Sequence, residues 1–558
     1  MRKTALLALA AALAAGSALC IEPDHLNIQE PVRPGYLERK PVEGFSLPPV
    51  APDASLVTAG EQSVVLKRVH FVGNTVLPAQ DLQGVVAPFL DRAIGASDLE
   101  ALRQKVTLLY VERGYVNSGA LLAADALNQG TLTLHIVEGK LKEIRLRGLD
   151  GLNERYVVDR LADGEEVFNI LTLGERFQLL LTDPLFSHMN GQLLPDAERG
   201  KAILNIDIER SRPYQLSLSA NNYRPVSIGA QSGTLSGWLR NLTGYGDIFE
   251  ASYQGPLGEG KASRTALGWR MQLNNRGTQL SLNYDEGASS VIEQPVQTLN
   301  VESRLVSKDI GVSQTVFEML RHKLSIGLNR VVRENRTTLL GVPFSFVPGE
   351  PTGTSKASDW RFWQEYSHRW ENQVLALRST FTFGENNQIN QNDAGTDLGV
   401  MPDRRYRIWL GQVQYAHSLL YNGSQLILRL NMQDSPNRLI AMEGMSLGGV
   451  NTVRGYRENQ LVRDNGVVMN VELDFPVLAD GAKQLSINLI PFFDHGRAWN
   501  KNEGPAVISS VGLAARLRWQ GLAIDLAAAK RLYNSATISS GSNLQDKGFH
   551  LQVSYNFF

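Results

Sequence analysis

The 558-residue chain contains a single cysteine, Cys20, so no internal disulfide, cysteine-based metal site or redox pair is available to it. Neither sign of charge is in excess: 55 Lys and Arg stand against 56 Asp and Glu, a formal net charge of −1. The basic footprint of a nucleic-acid binder is therefore missing, and no nucleic acid is expected as a partner. Beyond residue 20 no apolar run has the length of a transmembrane helix. A soluble secreted protein and a transmembrane β-barrel both stay open, because barrel strands alternate and average out in hydropathy. No His-Glu-x-x-His pair, phosphate loop or nucleophile elbow is recognised, so neither an enzyme nor a bound cofactor or metal is expected.

What is present begins with Met1-Arg2-Lys3, an alanine-rich apolar run from Ala5 to Ala15, and Gly16-Ser17-Ala18. A positive start, a short apolar core and a small-residue end read as a secretory signal peptide over residues 1–20, cleaved near Ala18 or Cys20. Leu19 is too large for a good lipoprotein site, which argues against lipidation of Cys20. Residues 21–60 carry Pro23, Pro31, Pro34, Pro41, Pro48, Pro49 and Pro52 with little periodicity. Prolines at that density break helices, so an extended linker is expected.

From Val64 the pattern changes. Val65 to Phe71 reads as a strand, and Gly73-Asn74 as a turn. Leu82, Val85, Val86, Phe89 and Leu90 follow helical spacing. Ser97-Asp98-Leu99-Glu100 reads as a capping box opening a second helix, which Gly114 can stop. Leu132, Leu134 and Ile136 alternate as a closing strand. The same order then repeats: Ile144 and Leu146 on a strand, a helix from about Asn153, a capping box at Thr172–Glu175, and Leu204, Ile206 and Ile208 alternating at the end. Two α+β modules, 61–139 and 140–212, are expected.

After Pro213 the helical periodicity largely disappears. Leu216 and Leu218 alternate with serines, as do Leu280, Leu282 and Tyr284 with Ser281, Asn283 and Asp285. Val467 to Phe475 and Val511 to Trp519 alternate likewise. All eight tryptophans fall between Trp238 and Trp519, and aromatic residues collect at membrane–water interfaces. Asp285, Glu472, Arg516 and Arg518 lie opposite the apolar face, where a wet lumen accepts them. Candidate strands start near 214, 234, 248, 264, 278, 304, 324, 360, 374, 406, 425, 466, 485, 509, 521 and 548. That is sixteen, an even number as bacterial barrels require. A transmembrane 16-stranded antiparallel β-barrel over 213–558, in contact with outer-membrane lipid, is expected. Its lumen is wide enough for water, so something must fill or gate it.

The longest gap between candidate strands, about Asp434 to Asn465, holds Leu447-Gly448-Gly449 and Val453-Arg454-Gly455-Tyr456. A loop of this length is usually functional, and its glycines allow it to fold back into the lumen. On the strand from Ile487 to Gly496, Ile487, Leu489, Pro491 and Phe493 face lipid, so Phe492, Asp494 and Gly496 point inward. A buried arginine needs a carboxylate, and Asp494 is on the correct face to hold Arg454 in a bidentate pair. Asp494 and its neighbour His495 point to opposite faces and cannot form a catalytic dyad.

Val453-Arg454-Gly455-Tyr456 taken with Phe492-x-Asp494-x-Gly496 resembles the paired signature of the TpsB transporters of two-partner secretion. These are haemolysin/haemagglutinin-type secretion/activation proteins within the superfamily that includes the outer-membrane protein insertase. Two modules before a barrel match the family's two POTRA domains, and Asn221-Asn222-Tyr223 and Asn241 to Asp247 add to the likeness, which runs from about residue 64 to the end. The proline-rich 21–60 stretch departs from the pore-plugging helix of many members, and Phe558 lies one residue beyond the lipid-facing set of the last strand. The resemblance implies a Gram-negative outer-membrane pore with its N-terminal modules in the periplasm. It implies that the modules capture the secretion domain of a large unfolded TpsA-like exoprotein, which the barrel then secretes, activation of the cargo remaining open. An outer-membrane protein insertase and a passive porin are the alternatives.

Overall fold

A computed structural model describes residues 45–46 and 63–557, apart from 163–166, 259, 295, 348–349, 388–400, 420–421 and 535–542. The signal-peptide segment, most of the 21–60 linker and Phe558 lie outside the described residues. The chain divides between Arg212 and Pro213 into two compact units.

In the first unit, one module runs from strand Arg68–Val72 through helices Ala79–Val86 and Ala96–Glu112 to strands Gly119–Asn128 and Thr131–Val137. Arg68–Val72 lies parallel to Thr131–Val137, which pairs antiparallel with Gly119–Asn128. Leu82, Leu102, Val106, Leu132 and Leu134 bury the helix–sheet interface. The long helix starts two residues earlier than the expected capping box would place it. Asp98 accepts the Gly95 N–H at 3.1 Å, so Gly95 rather than Ser97 is the cap and Asp98 sits at its third position. Gly114 ends the helix at φ +91°.

The second module repeats the order with strand Lys140–Arg147, helices Glu154–Leu161 and Ile170–Leu181, and strands Phe186–Pro195 and Lys201–Arg210. Here too the expected capping box is displaced. Asn169 caps the helix through the Leu171 and Thr172 N–H groups, which leaves Thr172 inside it. Asn169 also donates to the Arg113 carbonyl at 3.0 Å, and the Ile170 N–H donates to the Gly114 carbonyl at 2.9 Å. One side chain therefore caps a helix and joins the modules. Within the linker, Phe45–Ser46 adds a short parallel strand at Gly191–Gln192.

The second unit is a closed antiparallel barrel. Its strands are β1 (Tyr214–Asn221), β2 (Ser232–Arg240), β3 (Ile248–Pro256), β4 (Ser263–Gln272), β5 (Thr278–Ser290), β6 (Glu302–Glu318), β7 (His322–Leu339) and β8 (Thr354–Arg369). They continue with β9 (Gln373–Asn386), β10 (Arg405–Ser418), β11 (Gln425–Asp434), β12 (Asn465–Asp480), β13 (Leu485–Trp499), β14 (Ala506–Trp519), β15 (Leu522–Asn534) and β16 (Phe549–Asn556). Sixteen strands span the wall, and a two-residue bridge at Val342–Pro343 sits in the β7–β8 connection. Closure is by β1 on β16, from Ser217 opposite Asn556 to Asn221 opposite Gln552.

Period-two alternation decides which residues face out. Leu218, Leu235, Tyr253, Ile310, Leu328, Trp360, Phe383, Leu513 and Tyr555 stand exposed on the outer surface. Such a continuous apolar exterior is stable only against lipid. Asp285, Glu472, Arg516 and Arg518 all point inward, where Arg264 pairs with Asp285 at 2.7 Å and Arg516 with Asp525 at 3.1 Å. The end of the barrel at which β1 begins carries tight turns, such as 319–321, 370–372 and 520–521. The opposite end, here the loop end, carries the longer connections, including 435–464 between β11 and β12.

Candidate functional site: a loop held inside the barrel

The 435–464 segment does not stand on the loop end but folds into the lumen. Met445–Leu447 and Leu461–Arg463 pair as a two-stranded hairpin, and the residues between them form its tip. Leu447, Val453, Tyr456 and Leu461 pack with Val468, Ala498 and Ile508 of the wall, so the tip has a small apolar core of its own.

Arg454 lies at the centre of the tip. It donates from Nε and Nη2 to the two Asp494 oxygens at 2.7 Å each, and its backbone N–H reaches the same carboxylate at 3.0 Å. Asn470 adds a fourth donor at 2.8 Å. The remaining Arg454 nitrogen, Nη1, meets Glu472 on β12 at 2.7 Å, and Glu472 in turn meets Arg429 on β11 at 2.6 Å. Two cations and two carboxylates thus form a neutral, largely buried quartet in which the fork geometry of Arg454 is fully used. The Phe492 ring lies 3.5 Å from the guanidinium carbon and stacks beneath it.

The neighbouring motif residues make room for this contact. Gly455 has φ +88°, a region that L side chains rarely adopt, and a Cβ there would come within 2.8 Å of the Ala529 Cβ. Its N–H donates to His550 Nε2 at 3.1 Å, and its carbonyl accepts from Arg531 Nε at 2.6 Å. Tyr456 is buried with its hydroxyl on the Ser509 and Tyr533 carbonyls, so it packs onto β14 and β15. On β13, a Cβ at Gly496 would press within 2.8 Å of Leu447 and 2.9 Å of Val453. The bare backbone at Gly496 is what lets the hairpin lie against the wall.

All seven motif residues, Val453, Arg454, Gly455, Tyr456, Phe492, Asp494 and Gly496, therefore meet at one place. His495 points to the other face and contacts Ser509 Oγ at 2.8 Å. Gly444-Met445-Ser446-Leu447-Gly448 has the letter spacing of a nucleophile elbow, which the sequence reading passed over. Ser446 stands on the hairpin strand, not on a strand-to-helix turn, and donates to Asn459 Oδ1 at 2.6 Å.

Sequence reasoning also missed two further anchors. At the base of the hairpin, Glu443 is buried between Arg333 on β7 and Arg361 on β8, at 2.9 and 3.1 Å. Asp359 adjoins Arg361 at 3.2 Å, and the Tyr406 hydroxyl donates to Asp359 at 2.6 Å. This is a second neutral quartet, on the wall opposite the one that holds the tip. At the tip, Arg457 grips Asp546 in a bidentate pair at 2.6 and 2.9 Å and reaches Glu293 at 2.8 Å. The inward position of Arg333 and Arg361 was readable from alternation, but nothing local marks Glu443 as their partner. Beside the hairpin a cavity of about 750 Å³ runs along the inner faces of β1 to β11, with Trp238, Arg264, Asp285, Trp363 and Arg378 among its lining.

The model of the family described as haemolysin secretion/activation protein ShlB/FhaC/HecB matches residues 200–519, and that of the ShlB-type POTRA domain matches residues 64–139. The chain belongs to this family. Its first module is a POTRA domain, and the barrel is an outer-membrane β-barrel. An outer membrane transporter CdiB of Dickeya dadantii is 24% identical over 482 residues, covering 81% of this chain and 80% of that protein. The hemolysin transporter protein HpmB of Proteus mirabilis is 22% identical over 532 residues, covering 87% and 85%. Among solved structures, CdiB from Escherichia coli superposes with a TM-score of 0.67 at 19% identity, over 91% of this chain and 93% of that one. CdiB from Acinetobacter baumannii gives 0.62 at 17% identity over 91% and 92%. These two share the fold.

Proposed function

We propose that the chain is the transporter half of a two-partner secretion system. It recognises one large exoprotein in the periplasm and passes it, unfolded, across the outer membrane. The observation that carries this reading is the buried Arg454 quartet, which holds a loop of the chain, rather than a strand of the wall, inside the lumen beside a cavity of about 750 Å³. The two modules lie in the periplasm and take the N-terminal secretion domain of the cargo. The sheet edges of the modules suit capture of an extended strand by β-augmentation. The relatives named as CdiB and hemolysin transporters support secretion as the activity, and activation of the cargo belongs to the same reading. Folding of the cargo outside makes its passage irreversible, with no nucleotide required.

In this mechanism the residues of the chain position, shield and release. Arg454, Asp494 and Glu472 keep the hairpin against β12 and β13 while the pore is idle. An entering segment must shift the hairpin, and charge-assisted hydrogen bonds to cargo or water then replace those of the quartet. Arg454→Ala should leave the barrel inserted and heat-modifiable on gels while secretion of a co-expressed exoprotein falls at least tenfold; unimpaired secretion overturns the lock. Planar-bilayer recordings separate this reading from a passive porin, which would pass small solutes freely with the wild-type loop in place.

A further inference from the structure

The outer surface of the barrel is not uniform around its circumference. On β6, outward Val316, Val312 and Ile310 give way toward the loop end to Lys308 and Arg304 with Val306 between them; on β7, Leu324, Ile326 and Leu328 give way to Arg330, Val332, Glu334 and Arg336. On β8, Phe362 and Trp360 are followed by Lys356, and on β10, Trp409 is followed by Arg407 and Arg405. Alternation against the inward Arg333, Asp359, Arg361 and Tyr406 places all of these cations on the outside. On four strands of one arc, an aromatic or aliphatic residue of the apolar surface is thus followed by outward Lys or Arg, with Val306 and Val332 the apolar residues interspersed among them on β6 and β7.

Some of this charge is neutralised on the spot. Arg304 pairs with Glu286 at 2.5 Å, Arg336 and Lys356 share Glu334 at 2.7 and 3.1 Å, and Arg405 faces Glu385 at 3.6 Å. Lys308, Arg330 and Arg407 have no carboxylate partner among the described residues. Arg330 lies over the Trp360 ring at 5.2 Å, which leaves its guanidinium at the edge of the apolar belt. On the strands of the rest of the wall, from β12 through closure to β4, Arg497 and Lys530 are the outward cations at this end among the described residues; Lys261, Lys501 and Lys547 stand beyond the wall in its connections.

We propose that this arc, the outer face of β6 to β10 at the loop end, is a binding surface for the phosphate groups of membrane glycolipid, of the lipid A kind that forms an outer leaflet. The apolar belt below fixes the depth of the acyl chains. Headgroup phosphates then fall beside Lys308, Arg330 and Arg407, where a cation is worth most at the boundary of low dielectric. Arginine suits the tetrahedral phosphate through its fork, and Lys308 acts as a point charge. The inference rests on the proposed orientation, with the loop end outside the cell.

The test uses the full chain purified into vesicles of phosphatidylethanolamine containing bis-phosphorylated lipid A, or the same lipid A with both phosphates removed. Native mass spectrometry then counts the lipid retained after delipidating washes. Wild type should keep phosphorylated lipid A several-fold better than Lys308→Gln/Arg330→Gln/Arg407→Gln, and dephosphorylated lipid A no better than that variant does. Arg497→Gln/Lys530→Gln, on the opposite arc, should retain lipid like wild type. Equal retention by wild type and the triple variant, or equal retention of the two lipids by wild type, overturns the proposal. Should the triple variant fail to show heat-modifiable folding, the double Arg330→Gln/Arg407→Gln is read in its place. A tag in the 500–505 loop, probed on intact cells, reports orientation separately, so an inverted barrel and a wrong lipid site give different results.

Discussion

Arg333 on β7 donates through one nitrogen to both the Glu443 carboxylate, at 2.9 Å, and the Met442 carbonyl, at 3.1 Å. It thereby ties the base of the lumen hairpin to the wall opposite the one that grips its tip. The loop is held at its base and at its tip, and its release requires parting the Glu443 group, the Arg454 group and the Arg457–Asp546 pair.

Glu443→Ala leaves Arg333 and Arg361 buried with only Asp359 between them. Removing one partner of a buried pair costs about 3–5 kcal/mol. Urea unfolding of the purified barrel should shift by that amount, whereas a shift below ~1 kcal/mol would show that water enters and replaces the carboxylate.

Arg454→Lys keeps the charge but loses the fork and the stacking on Phe492. A lysine can satisfy Asp494 or Glu472 and not both in this geometry. Secretion by Arg454→Lys should therefore fall close to the level of Arg454→Ala. In the double variant Arg454→Met/Asp494→Asn, one buried charge is removed with its partner, so thermal stability should recover relative to Arg454→Ala alone, measured by the temperature at which gel mobility changes.

Gly496 and Leu447 offer a way to freeze the hairpin. The Cβ of a residue at 496 would lie 3.4 Å from Leu447 Cγ, near where a cysteine sulfur at 447 would sit, so Leu447→Cys with Gly496→Cys brings two thiols within bridging distance once the Val453 side chain, 2.9 Å from that Cβ, shifts aside. The oxidised protein should insert normally and secrete little, and reductant should restore export. Secretion that continues with the bridge formed would show that the hairpin need not move.

Asn169→Ala removes both a helix cap and the bond to the Arg113 carbonyl. The expected cost is about 1–2 kcal/mol, read as a lowered denaturation midpoint of residues 61–212 expressed alone. Asn169→Ser keeps the cap but is too short for the cross-module bond. An intermediate effect would separate the two roles.

Much of the architecture is visible in the sequence alone, because strand alternation is a local property. Val467 to Phe475 and Ile487 to Gly496 each declare their own lipid and lumen faces, and Asp494 is inward for the same reason. The capping boxes show where local reading fails. Ser97 and Thr172 have plausible neighbours, yet Gly95 and Asn169 are the caps: Asp98 turns back to the Gly95 N–H, and Asn169 also serves the first module and so fixes where its helix begins.

Partnership across the lumen has no local signature. Asp494 could be matched to Arg454 from the motif, but Glu472, two strand positions from Asn470, completes the quartet only because β12 and β13 pair in a particular register. Glu443 finds Arg333 and Arg361 more than eighty residues upstream, and Arg457 finds Asp546 almost ninety downstream. The amino-acid order by itself determined a sixteen-strand wall, its wet and lipid-facing sides, and a glycine-rich segment free to turn inward. Which charges that segment would meet was decided by barrel closure, since stagger and curvature bring distant strands to a common depth and side-chain periodicity carries no record of that depth.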